Sequence, residues 1–549
     1  MCERELPTVV ANNFIGEPPP KGLRRVQRSY CSLDFVDGQN ADFERALEAA
    51  GFGRFHYLLL TICGLIYLNT AVGITAISFV LPAAQCDLQM NSGDKGLLIA
   101  APMLGMVIGS YFWGCLADTK GRKTVLIGAL LLDGVCGLAS SICQFFWLFM
   151  FFRFWNGFGI TGAMGICFPY LGEFQPTKYR ETILCWMELF WTVGIILLPL
   201  IAWAIIPLEF RYEDPNFTFA SWNLFVAICA LPSLAIGFWL FAFPESPKFL
   251  LECGESEAAL DILKDIYVMN TNEPRGTYPV RSLREKARAL SVISQQSAKS
   301  VRSLSIRKPK ELRMLLQEIW IQTKALCRPP HLKWTIITCT IQFGLTTSYY
   351  TLMIWFPELF YRFEEYEKLH PGETASVCEV SQVVVTNSTT EDVYCDNEPI
   401  KNDVFLHTLI IGLACIPTSF WLPLCVHRLG TKFFLVFSLL VAAAVTLGLY
   451  FVKSAAQNLI LSCIFEALTS LGISTVYCIL VDLFPTNLRV MAAALSLTWG
   501  RGGALLGNLL FGYLIDLNCV IPIVLFSFLL FVSGLLCFTL PNTGNQALD

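Results

Sequence analysis

Four ionisable side chains stand inside long apolar stretches of the chain, where such groups are costly and usually functional. They are Asp133, Glu188, Glu466 and Arg501. Each is able to bind a proton or a charged solute, and the alternative is a pair that only packs two helices together. Glu188 is the strongest candidate for a binding role, because Trp191 stands one helical turn away from it.

Aromatic side chains are the second requirement of such a site. A solute site near the middle of a membrane needs aromatic walls and a few polar anchors. Trp191, Tyr349, Tyr350 and Tyr477 all lie in apolar stretches and meet this requirement. Beside Glu188, these walls would favour a cation through charge attraction and cation–π contact. Because 13% of all residues are aromatic, a chance arrangement is the alternative.

The chain lacks the sequence patterns of common enzymes. An HExxH pair, a phosphate-binding loop and a GxSxG turn are absent, and five histidines in 549 residues form no metal cluster. Its basic residues stand between the apolar stretches and form no basic face with interleaved aromatics. We therefore expect no enzyme activity, no metal, no cofactor and no nucleic-acid partner.

The elements that must hold these residues are transmembrane helices. Hydrophobic residues make up 54% of the chain and charged residues 15%, whereas an average soluble domain has about 25% charged residues. Apolar stretches of about 20 residues, long enough to cross a bilayer as helices, recur along the chain. We predict twelve spans, at 57–81, 95–117, 124–143, 147–171, 183–206, 222–243, 333–356, 404–425, 433–452, 457–480, 490–513 and 520–540.

The predicted spans form two groups of six on either side of a polar central segment at 244–332. This division is typical of a transporter with its site between two bundles. We therefore predict an all-α membrane protein with a tail at 1–56, bundles at 57–243 and 333–540, and a second tail at 541–549. Lysine and arginine are concentrated on the side of the two tails, so both termini are expected in the cytosol.

The acidic loop at 357–403 lies on the opposite side, between spans seven and eight. It contains a glycosylation sequence at Asn387 and two cysteines, Cys378 and Cys395. Because disulfides persist outside the cytosol, we expect Asn387 to be glycosylated and Cys378 to pair with Cys395. A second glycosylation sequence, at Asn216, lies too close to span six for modification.

Charged residues between the spans are candidates for gates. In GCLADTKGRK at 114–123, small residues allow close helix approach, and Asp118 can accept from basic groups of the second bundle. Such a contact would form and break as the bundles rock, and a solvated turn is the alternative. The second half repeats these elements in part, as internal duplication predicts. The gating candidates are Asp118, Arg122, Arg153, Glu173, Arg180, Glu245, Asp482 and Arg489.

These motifs resemble the major facilitator superfamily, on its sugar-porter and organic-ion side. They are GxxxDxxGRK, RxxxGxG, an E-F-x-P…R element and PESPKFL. Further stretches, such as GFGRF at 51–55 and AWAIIP at 202–207, resemble the synaptic vesicle glycoprotein 2 family within it. The resemblance covers about residues 42–540. It implies a twelve-span major facilitator fold, a glycosylated luminal loop and residence in secretory-vesicle membranes.

The resemblance also bears on the site. It places Trp191, Tyr349 and Tyr350 around the family's central pocket, on spans that line it. The family's acidic residues in span one are Thr70 and Gly73 here, and its tryptophan and aspartate in span ten are Ile473 and Tyr477. Ligand recognition therefore does not carry over unchanged.

Two functions follow from these observations. The first is a secondary transporter that moves a small organic solute by alternating access, with proton coupling as an option. The second is a vesicle membrane glycoprotein that regulates exocytosis or cargo and transports little or nothing. The expected partners are the lipid bilayer, the solute and vesicle proteins. A synaptic or other secretory vesicle is the expected membrane, with the plasma membrane as the alternative.

Overall fold

The computed structural model describes residues 40–208, 210–215, 217–283, 312–370, 376–380, 400–484 and 488–541. Helices dominate this part of the chain. In the first half they are α1 Phe43–Ala49, α2 Arg54–Thr75, α3 Ile77–Ala83, α4 Ser92–Lys120, α5 Arg122–Ser141, α6 Phe146–Glu173, α7 Thr177–Ile205, α8 Ser221–Trp239, α9 Pro247–Glu252 and α10 Ser256–Thr271.

The second half continues the helical pattern. Its helices are α11 Leu312–Leu326, α12 Leu332–Leu369, α13 Asn402–Leu429, α14 Thr431–Gly448, α15 Ala455–Leu483, α16 Arg489–Asn518 and α17 Val520–Cys537. Four short strands accompany the helices: β1 Asn40–Ala41, β2 Arg211–Asp214, β3 Phe217–Ala220 and β4 Ser282–Leu283. β1 pairs with β4 in parallel, and β2 pairs with β3 in antiparallel orientation.

Each predicted span falls on a helix. Span one corresponds to α2 and α3, spans two to six to α4–α8, and spans seven to twelve to α12–α17, which confirms the predicted twelve-helix architecture. Within the described residues, nine helices contain an 18-residue stretch apolar enough to cross a membrane. The other three, α6, α12 and α16, carry polar side chains that are buried against neighbouring helices.

In the first half, α6 packs against both α4 and α5. A Cβ atom on Gly159 would lie 2.7 Å from the backbone nitrogen of Asp133, closer than atoms normally approach. The glycines of the RxxxGxG pattern therefore allow the helix backbones to touch, as small residues do between membrane helices. This close packing holds Arg153 beside α5.

Two glycines with positive φ angles reveal the internal repeat. Gly121 has φ 101° and separates α4 from α5, while Gly430 has φ 80° and separates α13 from α14. Glycine adopts this backbone conformation without the steric cost that other residues pay. The degraded second copy of the loop motif, which ends at Gly430, thus makes the same tight turn as the first copy.

The two halves meet along α4 and α16 and along α7 and α13. A Cβ atom on Gly96 would lie 2.8 Å from the carbonyl oxygen of Asn508 and 3.0 Å from the Cα atom of Gly512. Phe79 of α3 stacks on Phe405 of α13, with ring centroids 5.7 Å apart. The halves are therefore in direct contact where α4 begins.

The disulfide pattern corrects one prediction. Cys378 is bonded to Cys519, at the end of α16, so its predicted pairing with Cys395 is wrong. Cys395 lies outside the described residues. Cys86, between α3 and α4, is disulfide-bonded as well. We call the side of the molecule that carries the Cys378–Cys519 bond the disulfide end. The sequence favours a pair within one loop, whereas folding joins Cys378 to a cysteine 141 residues away.

Residues 40–55 and 250–283 form a compact unit of their own. Its short sheet joins β1 to β4, and the Tyr278 hydroxyl donates a hydrogen bond of 2.6 Å to the carbonyl oxygen of Ala46. The end of the N-terminal tail therefore packs on the central segment. The remaining described residues form the second unit, which contains all twelve spans.

The disulfide assignment makes a direct prediction. Proteolysis of the unreduced protein should yield a linked peptide pair that contains Cys378 and Cys519, which mass spectrometry identifies. Cys519→Ser should remove this pair and lower stability by about 2–4 kcal/mol, because the bond closes a long loop. Cys327→Ser, which removes an exposed free thiol, is the control. A linked pair of Cys378 with Cys395 would contradict the structure.

Candidate functional site

Helix α7 supplies the first part of the central site. Glu188 and Trp191 lie one turn apart on it, so both project from the same face. The Trp191 ring lies 5.2 Å, centroid to centroid, from Tyr67 of α2. Glu188 is partly accessible and interacts with Ser474 of α15, in the second half. Its accessible surface therefore faces the space between the halves.

Helix α12 supplies the opposite wall. Tyr349 and Tyr350 are consecutive, and their rings lie 5.0 Å apart at an angle of 72°. Tyr349 is 2% exposed and interacts with the indole of Trp191 and the carboxyl of Glu466. The predicted residues Glu188, Trp191, Tyr349 and Tyr350 are thus close together. They come from both halves of the molecule.

Glu466 of α15 is the main addition that the structure makes to the site. Its side chain is fully buried, and neither carboxylate oxygen forms a hydrogen bond within the described part of the chain. The Tyr349 hydroxyl is a polar group beside it, although not in hydrogen-bonding geometry. Buried polar groups normally have partners, and an exception requires an explanation such as a ligand.

Arg501 of α16 brings a positive charge to the same region. Its Nη1 atom donates a hydrogen bond of 2.5 Å to the Ser110 hydroxyl, and Nη2 lies 3.7 Å from the sulfur of Met164. Tyr350 lies within electrostatic range of Arg501 as well as of Glu188 and Glu466. The guanidinium thus reaches from the second half to the first at the edge of the site.

Sequence reasoning noted Glu466 and Arg501 as ionisable groups but did not assign them to the site, and it missed Tyr67. Glu466 and Arg501 each stand alone in an apolar stretch. The one sequence signal that indicates them is the general rule that charged residues inside a membrane are usually functional. Tyr477, a predicted wall residue, lies on α15, but its side chain is outside the described residues. Its role stays a prediction.

A chain of polar contacts joins the loop side of the first half. Arg122 forms ion pairs with Asp118 and with Glu173, the latter at 3.5 Å. The Ser246 hydroxyl donates a hydrogen bond of 2.5 Å to the Glu173 carboxylate. Asp118, Arg122 and Glu173 belong to the first half, and Ser246 lies at the start of the central segment. The predicted contact of Asp118 with the second half is not formed among the described residues.

Glu245 acts as a helix cap. Its carboxylate accepts hydrogen bonds from the backbone N–H groups of Lys123, at 2.8 Å, and Thr124, at 3.3 Å, at the start of α5. Unpaired N–H groups and the helix dipole make this position favourable for an anion. Arg180 has the converse role, because it donates to the carbonyl oxygen of Gly172 at the end of α6.

Arg153, a predicted gating residue, lies inside the first half. It is 4% exposed and lies within electrostatic range of Asp133 of α5. Asp133 accepts a hydrogen bond of 2.6 Å from Asn156 of α6 and another from Ser233 of α8. Because buried charges need an opposite charge or hydrogen bonds, we expect Asp133 and Arg153 to stabilise each other. The hydrogen bonds of Asp133 connect α5 to α6 and α8.

Besides Tyr477 and Cys395, three more predicted residues stay untested. The side chains of Asp482 and Arg489 and the whole of Asn387 fall outside the described residues. Asn216, predicted to remain unmodified, falls outside them as well.

The disulfide end contains a buried ion network that no sequence motif had indicated. Lys95 of α4 pairs with Glu358 of α12 at 2.5 Å, and Arg362 pairs with Glu358 at 3.2 Å and with Asp516 of α16 at 3.1 Å. Arg362 also donates to the Ser92 hydroxyl at 2.7 Å. The network therefore ties α4 of the first half to α12 and α16 of the second.

A local signal positions this network. Asn91 caps α4, because its side chain accepts from the Asp94 N–H at 2.8 Å while its own N–H donates to the Asp94 carboxylate at 3.1 Å. Such a capping box fixes where a helix begins. Lys95 follows directly and is held within the first turn.

Comparisons with known proteins agree with this architecture. The family described as "Sugar (and other) transporter" matches residues 65–323. The chain is 27% identical to human (Homo sapiens) synaptic vesicle glycoprotein 2B, over 92% of the chain and 86% of that protein. It is 28% identical to human synaptic vesicle glycoprotein 2C, over 92% and 81% respectively.

Solved structures show the same fold. The partially occluded inward open conformation of the xylose transporter XylE from E. coli aligns with a TM-score of 0.63 at 16% identity, covering 90% of this chain and 99% of that one. The chain therefore has the fold of this transporter, and residues 65–323 match the sugar transporter family. Its relatives in sequence include the synaptic vesicle glycoproteins 2B and 2C.

The Asp133–Arg153 pair predicts a specific stability pattern. Asp133→Ala should destabilise the protein by about 3–5 kcal/mol, because it leaves a buried charge without its partner. The double variant Asp133→Ala/Arg153→Leu should recover much of this loss. Thermal unfolding of the purified protein, followed by intrinsic tryptophan fluorescence, measures both effects. A double variant no more stable than the single one would show that the two charges do not depend on each other.

Proposed function

We propose that the chain is a secondary transporter that moves a small organic solute across a membrane by alternating access. The observation that carries this proposal is a buried, charge-balanced network that closes one end of the space between the halves, while the central site lies deeper. Lys95 and Arg362 oppose Glu358 and Asp516 there. A closure of this kind can open without disturbing either bundle.

The physics of the network suits a gate. Removing charges from water is costly, so a buried ion pair contributes little net stability when its partners have water as an alternative. Separation of the halves at the disulfide end would hydrate Lys95 and Glu358 and recover that cost. The paired charges therefore hold the halves in the closed arrangement, and the hydration of the separated charges allows the halves to part again.

The opposite end supports the same cycle. Asp118 pairs with Arg122 of its own half, and Glu173 with Arg122 and Ser246. We propose that Asp118 and Glu173 contact the second half in the alternate state, when the disulfide end is open.

The proposed orientation places the disulfide end in the lumen of a secretory or synaptic vesicle. Disulfides persist in oxidising compartments and are rare in the cytosol. Cys378, Cys519 and Cys86 are all bonded at helix ends that the charge distribution assigns to the non-cytosolic side. Both termini are then cytosolic. The relatives' names support the vesicle membrane, and the plasma membrane is the alternative.

A second candidate is a vesicle membrane glycoprotein that regulates exocytosis or cargo and transports little. Span one favours it, because the acidic residues of the resembled family are Thr70 and Gly73 here. The Thr70 hydroxyl donates to the carbonyl oxygen of Tyr67, at 2.7 Å. Because a hydroxyl and a glycine carry no charge, these two positions cannot bind a proton as the acidic residues would.

Solute flux separates the two candidates. The purified protein is reconstituted into proteoliposomes and tested with neutral, cationic, anionic and zwitterionic solutes, with and without a proton gradient. The proposal expects saturable uptake of one class, and a gradient effect if protons are coupled. Intact protein that moves no solute of any class would favour the regulatory candidate.

The gate predicts a change in backbone protection. Glu358→Gln should weaken the closed disulfide end by about 3–5 kcal/mol, because Lys95 and Arg362 lose their shared anion. Hydrogen exchange at residues 92–98 and 355–362, measured by mass spectrometry, should accelerate at least ten-fold. Asp261→Asn, on an exposed pair with Lys264, is the control and should change nothing in these segments. Unchanged exchange in Glu358→Gln would contradict the assignment of this network as a gate.

A further inference from the structure

We propose that the central site binds an organic monocation, such as a small quaternary or protonated amine. This inference rests on the proposed transport function and names its substrate class. Two observations carry it. One is the buried carboxyl of Glu466, which has no hydrogen-bond partner in the described chain, and the other is the aromatic enclosure around it.

The charges around the site favour a single positive charge. Glu188 comes from the first half and Glu466 from the second, and both lie within electrostatic range of Tyr350 and of the Cys415 thiol. Arg501 is a cationic neighbour of Tyr350. When both carboxyls are ionised, the two acidic groups exceed this basic group by one negative charge. A monocation would complete the balance.

The position of Arg501 argues against an anion as the ligand. Its guanidinium nitrogens are directed at the Ser110 hydroxyl and the Met164 sulfur, both in the first half. A ligand carboxylate would have to compete with Ser110 for Nη1. It would also lie near Glu188 and Glu466, whose charges repel it.

Aromatic rings near the carboxyls suit a cation. Tyr349 and Tyr350 lie near Glu466, Trp191 lies beside Tyr349, and Tyr67 contacts Trp191. Tyr67 lies 5.2 Å from Trp191, and Tyr349 lies 5.0 Å from Tyr350. A cation within about 6 Å of a ring centroid is attracted by the ring quadrupole, most strongly by tryptophan. A sugar would instead require several hydrogen-bonding partners.

The Glu466 carboxyl differs in its partners from Asp133, a buried carboxyl of the first half. Asp133 has hydrogen bonds from Asn156 and Ser233 and the charge of Arg153 beside it. Its partners are built into the protein. Glu466 has no such set among the described residues, which leaves its carboxyl available to a ligand.

Three probes of nearly equal shape test this assignment. Choline is a monocation, 3,3-dimethyl-1-butanol is its neutral analogue, and glycine betaine carries the same trimethylammonium group together with a carboxylate. Binding is measured by calorimetry and by thermal stabilisation of the full-length protein in nanodiscs. We expect choline to bind at least about ten-fold more tightly than either of the others.

Matched variants locate the effect. Glu466→Gln and Glu188→Gln should each reduce the preference for choline over the neutral analogue by about ten-fold. Glu257→Gln, on the exposed face of α10, should preserve it. If a variant fails to fold, the three probes on the unaltered protein still decide the matter. Equal binding of choline and its analogue, preference for betaine, or no choline binding overturns the inference.

The outcomes distinguish this inference from the proposed function. Uptake of a neutral solute without choline preference would overturn the monocation and leave transport intact. Choline binding that depends on Glu466, with no uptake of any solute, would support the monocation and contradict transport.

Discussion

The hydrocarbon core of a bilayer offers no water to a buried charge or to an unpaired backbone group, and this constraint determines most of what this protein does with its polar residues. Helices satisfy the backbone internally, so twelve of them carry the chain across. Charged side chains cannot be satisfied by the backbone of their own helix. Each must find a partner on another helix, and the partner chosen decides which helices stay together.

Three buried charge groups show different consequences of this constraint. Asp133 and Arg153 lie in one bundle and connect α5 to α6, so they stabilise a unit that does not need to change. Lys95 and Glu358 lie in different bundles, so the same chemistry joins surfaces that can separate. Glu466 has no hydrogen-bond partner among the described residues, and it lies where the two bundles face each other. Location alone separates the scaffold contact from the proposed gate and the proposed binding site.

The fold was largely predictable because its signals are local. Apolar length, the basic loops and the duplicated glycine turns at Gly121 and Gly430 each depend on neighbouring residues. The aromatic walls were predictable in part, since Trp191, Tyr349 and Tyr350 occur in spans that line the site. Charge partners were not predictable. Arg153 stands in the RxxxGxG motif, whereas the opposite charge near it, on Asp133, is twenty residues away on another helix.

The amino-acid sequence by itself determined the number and length of the helices, the division into two halves and the residue types available to a site. The tertiary structure decided that Cys378 pairs with Cys519, that Lys95 meets Glu358 and that Glu466 joins Glu188 behind aromatic rings. The physical reason is the separation along the chain of the residues that each feature depends on. Helix formation depends on a few consecutive residues, whereas a disulfide or a buried ion pair depends on which distant helices pack together.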